Sequence, residues 1–205
     1  MMEIHDHLYE RVSVEQPFLF EIWEPEGVAV VIGHGQNAAQ EVDLAACRRD
    51  GVAVIRRRGG GGAVVLMPGV LCLSCAFLSG RSDSPYYFFQ QINLFISGLL
   101  ARRFSLQGLE PAGISDIALA GRKILGCSMF KSRRLYFYQG SLLLNPDLAR
   151  ITAYLTHPSR EPGYRRGRTH SDFLTSLWQS GYPLPMTDLK EAFTQNAGEL
   201  RSLLI

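Results

Sequence analysis

Residues 54–69 read VIRRRGGGGAVVLMPG: three guanidiniums run straight into four glycines, with strand-like apolar sequence on both sides. Arginine carries planar, forked N–H donors that match phosphate and carboxylate oxygens. Glycine lacks a Cβ, so successive backbone N–H groups can converge on an anion and the chain can approach a ligand closely. These are the parts of an anion receptor. The same letters also describe a flexible connection with solvated arginines, and the stretch alone leaves both readings open. It is not a P-loop, because no Lys-Ser/Thr follows the last glycine, and no helical pattern follows it as a dinucleotide-binding turn requires.

The second stretch with chemical content is SDIALAGRKILGCS, residues 115–128. Lys123 lies inside an apolar strand. If it points inward it must meet an anion or lose its charge; the alternative is an edge lysine whose ammonium reaches water. Asp116 stands seven residues earlier. It either faces the same site across a hairpin, where it can hold a metal ion, or caps the turn. Of the four cysteines, Cys72 and Cys75 form a C-x-x-C within LCLSCAFL. A spacing of three places them on opposite faces of a strand. No second pair completes a zinc site, so buried free thiols are expected.

The elements that must position these residues follow from local pattern. The runs 27–33 and 52–55 read as strands, with a helix over 37–51 between them that starts at an Asn37 cap and ends at Gly51. AVVL and LCLSCAFL are further strands, split by a turn at Met67-Pro68-Gly69. Residues 84–104 form the clearest helix, with Ser84 as cap, Pro85 at its first position, and Phe88, Ile92, Phe95, Ile96, Leu99 and Leu100 on one face. Residues 115–130 predict two strands joined at Ala120-Gly121, and 134–145 a third, as a β-meander or paired hairpins. A short helix follows Pro146. The basic stretch PSREPGYRRGRTHS reads as a mobile loop, and a last helical segment starts with an Asp188 cap. Strands and helices mix irregularly, which predicts an α+β (mixed α/β) fold.

Bulk numbers narrow the partners. The chain has 205 residues, 46% hydrophobic and 20% charged, and a net charge of +2. This suits one large domain with a packed core, and charge gives no argument for nucleic acid. No apolar run reaches the ~20 residues of a membrane span. The N-terminus lacks an apolar signal core, so a cytoplasmic protein is expected.

Taken in order, RRRGGGGAV, DIALAGRKILGCS and YQGSLLLNPDL resemble the lipoate–protein ligase family of the biotin/lipoate ligase superfamily. VVIGHGQN upstream and YRRGRTHSDFLTSL downstream extend the resemblance over roughly residues 28 to 178. It implies a central, mostly antiparallel mixed sheet with flanking helices, the biotin/lipoate ligase catalytic fold, similar to class II aminoacyl-tRNA synthetase cores. It implies a catalytic domain over 1–180 and a helical tail, 181–205, packed on it.

By resemblance, Arg57, Gly60, Gly61, Gly62, Ala63 and Val64 surround the phosphate and carboxyl end of an acyl-adenylate. Lys123 contacts the carbonyl and phosphate oxygens, and Asp116 is associated with Mg2+ and nucleotide. Gly140, Ser141 and Leu142 close the pocket wall, and LCLSCAF and Leu142–Leu144 are candidates for the slot of the acyl tail. The implied reaction activates lipoate or octanoate with ATP as acyl-AMP. The acyl group then passes to a lysine of a lipoyl-domain protein, a 2-oxoacid dehydrogenase acyltransferase subunit or glycine-cleavage H protein. Many family members carry an accessory domain that takes part in adenylation; for this chain the resemblance implies either that a separate partner chain supplies that part or that adenylation is weak or absent. Two alternatives stand beside this reading. One is an octanoyltransferase fed by acyl carrier protein, with Cys127 as its nucleophile; the other is a non-catalytic acyl- or adenylate-binding homologue. The chain departs from the family's usual residues at Gly59, at Met67-Pro68 and at Tyr138-Gln139.

Overall fold

Six antiparallel strands form the main sheet, in the order β1 (Phe18–Trp23), β5 (Val70–Leu78), β9 (Leu135–Leu143), β8 (Arg122–Ser132), β7 (Asp116–Leu119) and β6 (Leu109–Ala112). The coordinates are a computed structural model that describes residues 4–80 and 84–205. A second sheet holds β3 (Ala53–Arg56), β2 (Ala29–Ile32) and β4 (Val64–Leu66); β2 pairs in parallel with β3 and antiparallel with β4. The architecture is α+β, as the mixture of patterns predicts. Among the described residues no helix is long and apolar enough to cross a membrane.

Strand alternation divides the core. Phe77, Cys75 and Tyr138 face α4 (Pro85–Phe104), whose Phe88, Ile92, Phe95, Ile96, Leu99 and Leu100 are all buried against them. Leu189, Phe193, Leu200 and Leu204, from α7 (Met186–Gln195) and α8 (Ala197–Leu204), enter the same core. On the other side, Cys72 and Val70 belong to a second core together with Val30, Val31 and Val65 of the small sheet. Cys72 and Cys75 therefore sit in different cores, as their spacing requires. Burial pushes both thiols up, and both are free.

Several elements differ from the sequence expectation. The helix over 37–51 is two, α2 (Ala38–Glu41) and α3 (Leu44–Arg49). Val42 leaves the helical conformation to bridge Leu155, and Asp43 caps the second piece by accepting from the Ala46 N–H at 2.8 Å. The Asn37 cap accepts from Ala39 N–H, as expected. The C-terminal helix starts at Met186, so Asp188 sits in its first turn instead of capping it, and the helix breaks at Asn196. Periodicity gives no sign of α1 (His7–Arg11), β1 or β6, which are short or lie at an edge. The turn at Ala120-Gly121 is where expected, with φ of 50° and 72°, the left-handed pair of a tight hairpin.

Gly69 closes the turn that lets the chain pass from the small sheet into β5. Its φ is +86°, and a Cβ there would lie 2.4 Å from the Asn145 carbonyl oxygen. That approach lets the Gly69 carbonyl accept from the N–H groups of Leu144 and Asn145. Gly69→Ala should therefore cost at least about 2 kcal/mol, from the left-handed conformation plus the backbone clash. A denaturant melt in which its midpoint matches the parent would contradict this.

Candidate active site

A cavity of about 1060 Å³ lies between the two sheets, roofed by residues 155–170. Its inner wall is a cross-strand row, Trp23, Cys72, Ser141 and Gly126, with Ser74, Gln139 and Ser128 in the neighbouring row. Val31, Val64 and Leu66 face them from the small sheet. The slot thus differs from the expected one. Of LCLSCAF, the side chains on the cavity face are Cys72 and Ser74, while Leu142 and Leu144 belong to the core on the α4 side. Gly140 and Ser141 line the cavity; Leu142 does not, because successive strand residues point to opposite faces.

Lys123 reaches this cavity through an irregularity. In an unbroken strand it would share a face with Leu125, in the core under α4. Instead β8 carries a bulge: Ala118 pairs with Lys123 but Ile117 pairs with Leu125, which leaves Ile124 unpaired. Bulges re-aim side chains in this way. The lysine then lies along the sheet over Gly126, where a Cβ would come within 2.5 Å of its Nζ. The ammonium ends 2.8 Å from Asp116 Oδ1. Asp116 is buried, and its other oxygen accepts from the Tyr164 hydroxyl at 2.8 Å. Burial, followed by the negative charge of Asp116, raises the Tyr164 phenol well above its ordinary value.

The three arginines have three separate uses. Arg56 donates to the carbonyls of Gly33, His34 and Gln36 and so shapes the loop after β2. Arg57 is buried and forks onto the carbonyls of Gly60 and Gly62, at 2.6 and 2.8 Å through one nitrogen, with Val31 O at 3.4 Å. Burial lowers it to about 10, which leaves it charged at neutral pH. Arg58 turns outward onto Glu10 and the Tyr9 ring. The glycine stretch is therefore held and not loose. It rests on β8, where a Cβ at Gly59 would meet Ser128 Oγ at 3.0 Å, and on Gly33, where a methyl group would lie 2.3 Å from Gly61 O. With two of its carbonyls on Arg57, the N–H groups of Gly60, Gly61 and Gly62 donate to no protein acceptor among the described residues. Arg57, Gly60, Gly61, Gly62, Ala63, Val64, Asp116, Lys123, Cys127, Gly140 and Ser141 all line one cavity.

The roof is tied down more firmly than its polar sequence suggests. Glu41, buried, accepts from the backbone N–H and the hydroxyl of Ser159. Arg165 is buried over the Phe173 ring, and Arg168 donates to Gly121 O at 3.1 Å. Burial, then the Arg165 charge, lowers His170 to about 4, so it is neutral at pH 7. Pattern reasoning missed Gly33, Glu41, Gly126 and Tyr164. The spacing K-x-x-G was a usable signal only for a reader who already knew of the bulge.

Cys127 donates its S–H to Ser115 O at 2.7 Å. Burial pushes the thiol up to about 12, and Asp116 adds to this. A nucleophilic cysteine needs the opposite environment.

The model of the lipoyl protein ligase A/B catalytic domain matches residues 1–198. The chain belongs to this family. It is 30% identical over 161 residues to lipoate-protein ligase A of Blochmanniella pennsylvanica, which is 75% of this chain and 44% of the relative. The chain spans less than half the length of the curated relatives it matches. Its fold is that of a structure from an archaeal lipoylation system, a bi-partite lipoate protein ligase and its E2 lipoyl domain from Thermoplasma acidophilum (TM-score 0.76, 21% identity, 90% of this chain and 71% of the other). It is also that of a lipoate-protein ligase A bound with ATP (TM-score 0.75, 22% identity, 95% and 77%). The superfamily resemblance seen in the sequence is thus a family membership.

The Arg57 fork carries a direct consequence. Arg57→Ala removes the donor to the Gly60, Gly62 and Val31 carbonyls and the buried guanidinium that fills the space beneath the glycines, and should cost about 2 kcal/mol or more. Arg57→Lys should recover little of it, because one ammonium cannot reproduce a planar fork. Denaturant midpoints and protease cutting within residues 56–66 measure both; a lysine variant equal to the parent would contradict the assignment.

Proposed function

We propose that this chain is the catalytic module of a lipoate–protein ligase, activating lipoate or octanoate with ATP and passing the acyl group to a lysine of a lipoyl-domain protein. One observation carries the reading: the Lys123 ammonium and the unpartnered amides of Gly60–Gly62 open onto one cavity between the sheets.

The chemistry follows from that placement. A substrate carboxylate oxygen attacks the α-phosphorus of ATP, the P–O bond to pyrophosphate breaks, and acyl-AMP forms. Negative charge grows on the phosphate oxygens. Lys123 and the glycine amides supply fixed donors for it. The acceptor amine then attacks the acyl carbonyl; the C–N bond forms, AMP leaves, and the amine proton is lost. No protein nucleophile is required, in keeping with the Cys127 environment, which counts against the octanoyltransferase alternative. Lys123 is the catalytic residue in this reading. Arg57 is a positioning residue that acts through the bend.

Mg2+ binds through one or two carboxylates with substrate phosphates and water, and neutralises phosphate charge. Asp116 fits that pattern as the carboxylate beside Lys123, with Tyr164 and Lys123 as its present partners. The acceptor and the accessory chain are read from the relatives: the Thermoplasma lipoylation system comprises a bi-partite lipoate protein ligase and its E2 lipoyl domain. The present chain, with residues 1–180 as the catalytic domain and 181–205 as a helical tail on it, is proposed to work with such a second chain.

Mass spectrometry of a lipoyl domain incubated with this chain, ATP, Mg2+ and lipoate should show one lipoyl addition, with octanoyl-acyl carrier protein as the parallel donor. Lys123→Ala should lose transfer by about a hundredfold or more, the scale for removing one preorganised donor, measured at a temperature where its melt shows it folded; its midpoint should also fall, because Asp116 loses its counter-charge. Full transfer by that variant, or transfer from the carrier protein without ATP, would refute the ligase reading. Tyr164→Phe frees one Asp116 oxygen and should lower the Mg2+ concentration for half-maximal pyrophosphate release; an unchanged value would remove Asp116 from the metal role.

A further inference from the structure

We propose that His5, His7 and Glu21 form a binding site for a divalent transition-metal ion of the zinc class, on the edge strand β1, where Glu21 pairs with Ser74 and continues the cavity wall outward. His5 Nδ1 lies 2.5 Å from Glu21 Oε2, and His7 Nε2 lies 3.2 Å from Glu21 Oε1. One ligand atom from each residue falls within 4.8 Å of the others. Two donors bound to one zinc ion at about 2.1 Å each sit roughly 3.4 Å apart, so small rotations close the set. Two imidazoles and one carboxylate suit zinc-class ions and leave a fourth position for water. They do not suit Mg2+ or Ca2+, which take oxygen ligands.

The set is held in place from outside. His5 adopts φ +57° and stacks on the Trp23 indole, with centroids 4.4 Å apart and an angle of 14°. Just before it, the Ile4 carbonyl accepts from Gln139 Nε2 at 2.8 Å, which ties the segment to β9. Trp23 Nε1 donates to Ser74 Oγ at 3.2 Å, so the ring under His5 is itself fixed. Arg11 lies 4.0 Å from Glu21 and opposes a cation, but its side chain is 59% exposed and can turn to water. An ion here would pin residues 4–7 to β1, and Ile4 and Trp23 both line the cavity. The inference rests on these residues alone and stands apart from the ligase reading.

The chain has two tryptophans, so Trp23 can report by itself in a Trp178→Phe background. The untagged chain, stripped with a chelator, is titrated with Co2+ while emission is followed. Saturable quenching at one ion per chain, reversed by Zn2+, is the expected result. His7→Ala and Glu21→Gln should each weaken it by roughly tenfold or more. His157→Ala, which removes the His157–Glu161 pair (3.1 Å) on the roof, should leave it unchanged. Glu21→Gln preserves the side-chain shape, so it separates lost binding from lost fold, which the melt of each variant checks. Absence of saturable quenching, or an affinity equal to the parent's in either ligand variant, overturns the proposal.

Discussion

The Lys123–Asp116 ion pair sets the geometry on which the site depends. An ammonium in the wall of a partly enclosed cavity needs a counter-charge, and Asp116, itself buried, supplies it at 2.8 Å. Three backbone features bring the pair together. The Ala120-Gly121 turn folds β7 onto β8, the bulge at Ile124 swings the lysine out of the α4 core, and Gly126 leaves room for its stem. Each is a local departure from a regular strand, and each has its reason in the position of one charged atom.

Charge and flexibility meet at residues 56–62 because the guanidiniums are used on the protein's own backbone. Arg56 and Arg57 take up carbonyls from two loops that lie beside each other, and Gly33 lets those loops touch. A glycine stretch left free would carry a large ordering cost on binding. Here Arg57 meets part of that cost in the folded state, and the amides that remain are preorganised for an anion. The positive charge is thus mainly structural, while the proposed receptor consists of neutral N–H groups and one lysine.

The roof over the cavity follows the same logic. Residues 155–170 are polar and rich in turn formers, yet Glu41, Arg168 and Tyr164 tie them to α2, the β7–β8 turn and Asp116. Among these ties the Tyr164 hydroxyl has a double effect: it holds the roof and occupies one oxygen of the carboxylate that the proposed chemistry needs. Roof position and carboxylate availability are therefore coupled through one hydrogen bond.

The α+β class, α4 with its buried face, the β7–β8–β9 meander, the opposite facing of Cys72 and Cys75, and the stretches that carry the site were legible in the sequence. Each rests on local periodicity or on turn chemistry, which a short window contains. The tertiary structure alone decided which way Lys123 points, what the arginines hold, that Leu142 faces away from the cavity, and that Tyr164 meets Asp116. A bulge breaks the alternation that a reader must assume. Acceptors such as Gly60 O and Gly33 O, and partners such as Tyr164, acquire their positions only after distant segments have packed. Periodicity records which face a side chain prefers; it does not record which atom from elsewhere in the chain will be waiting there.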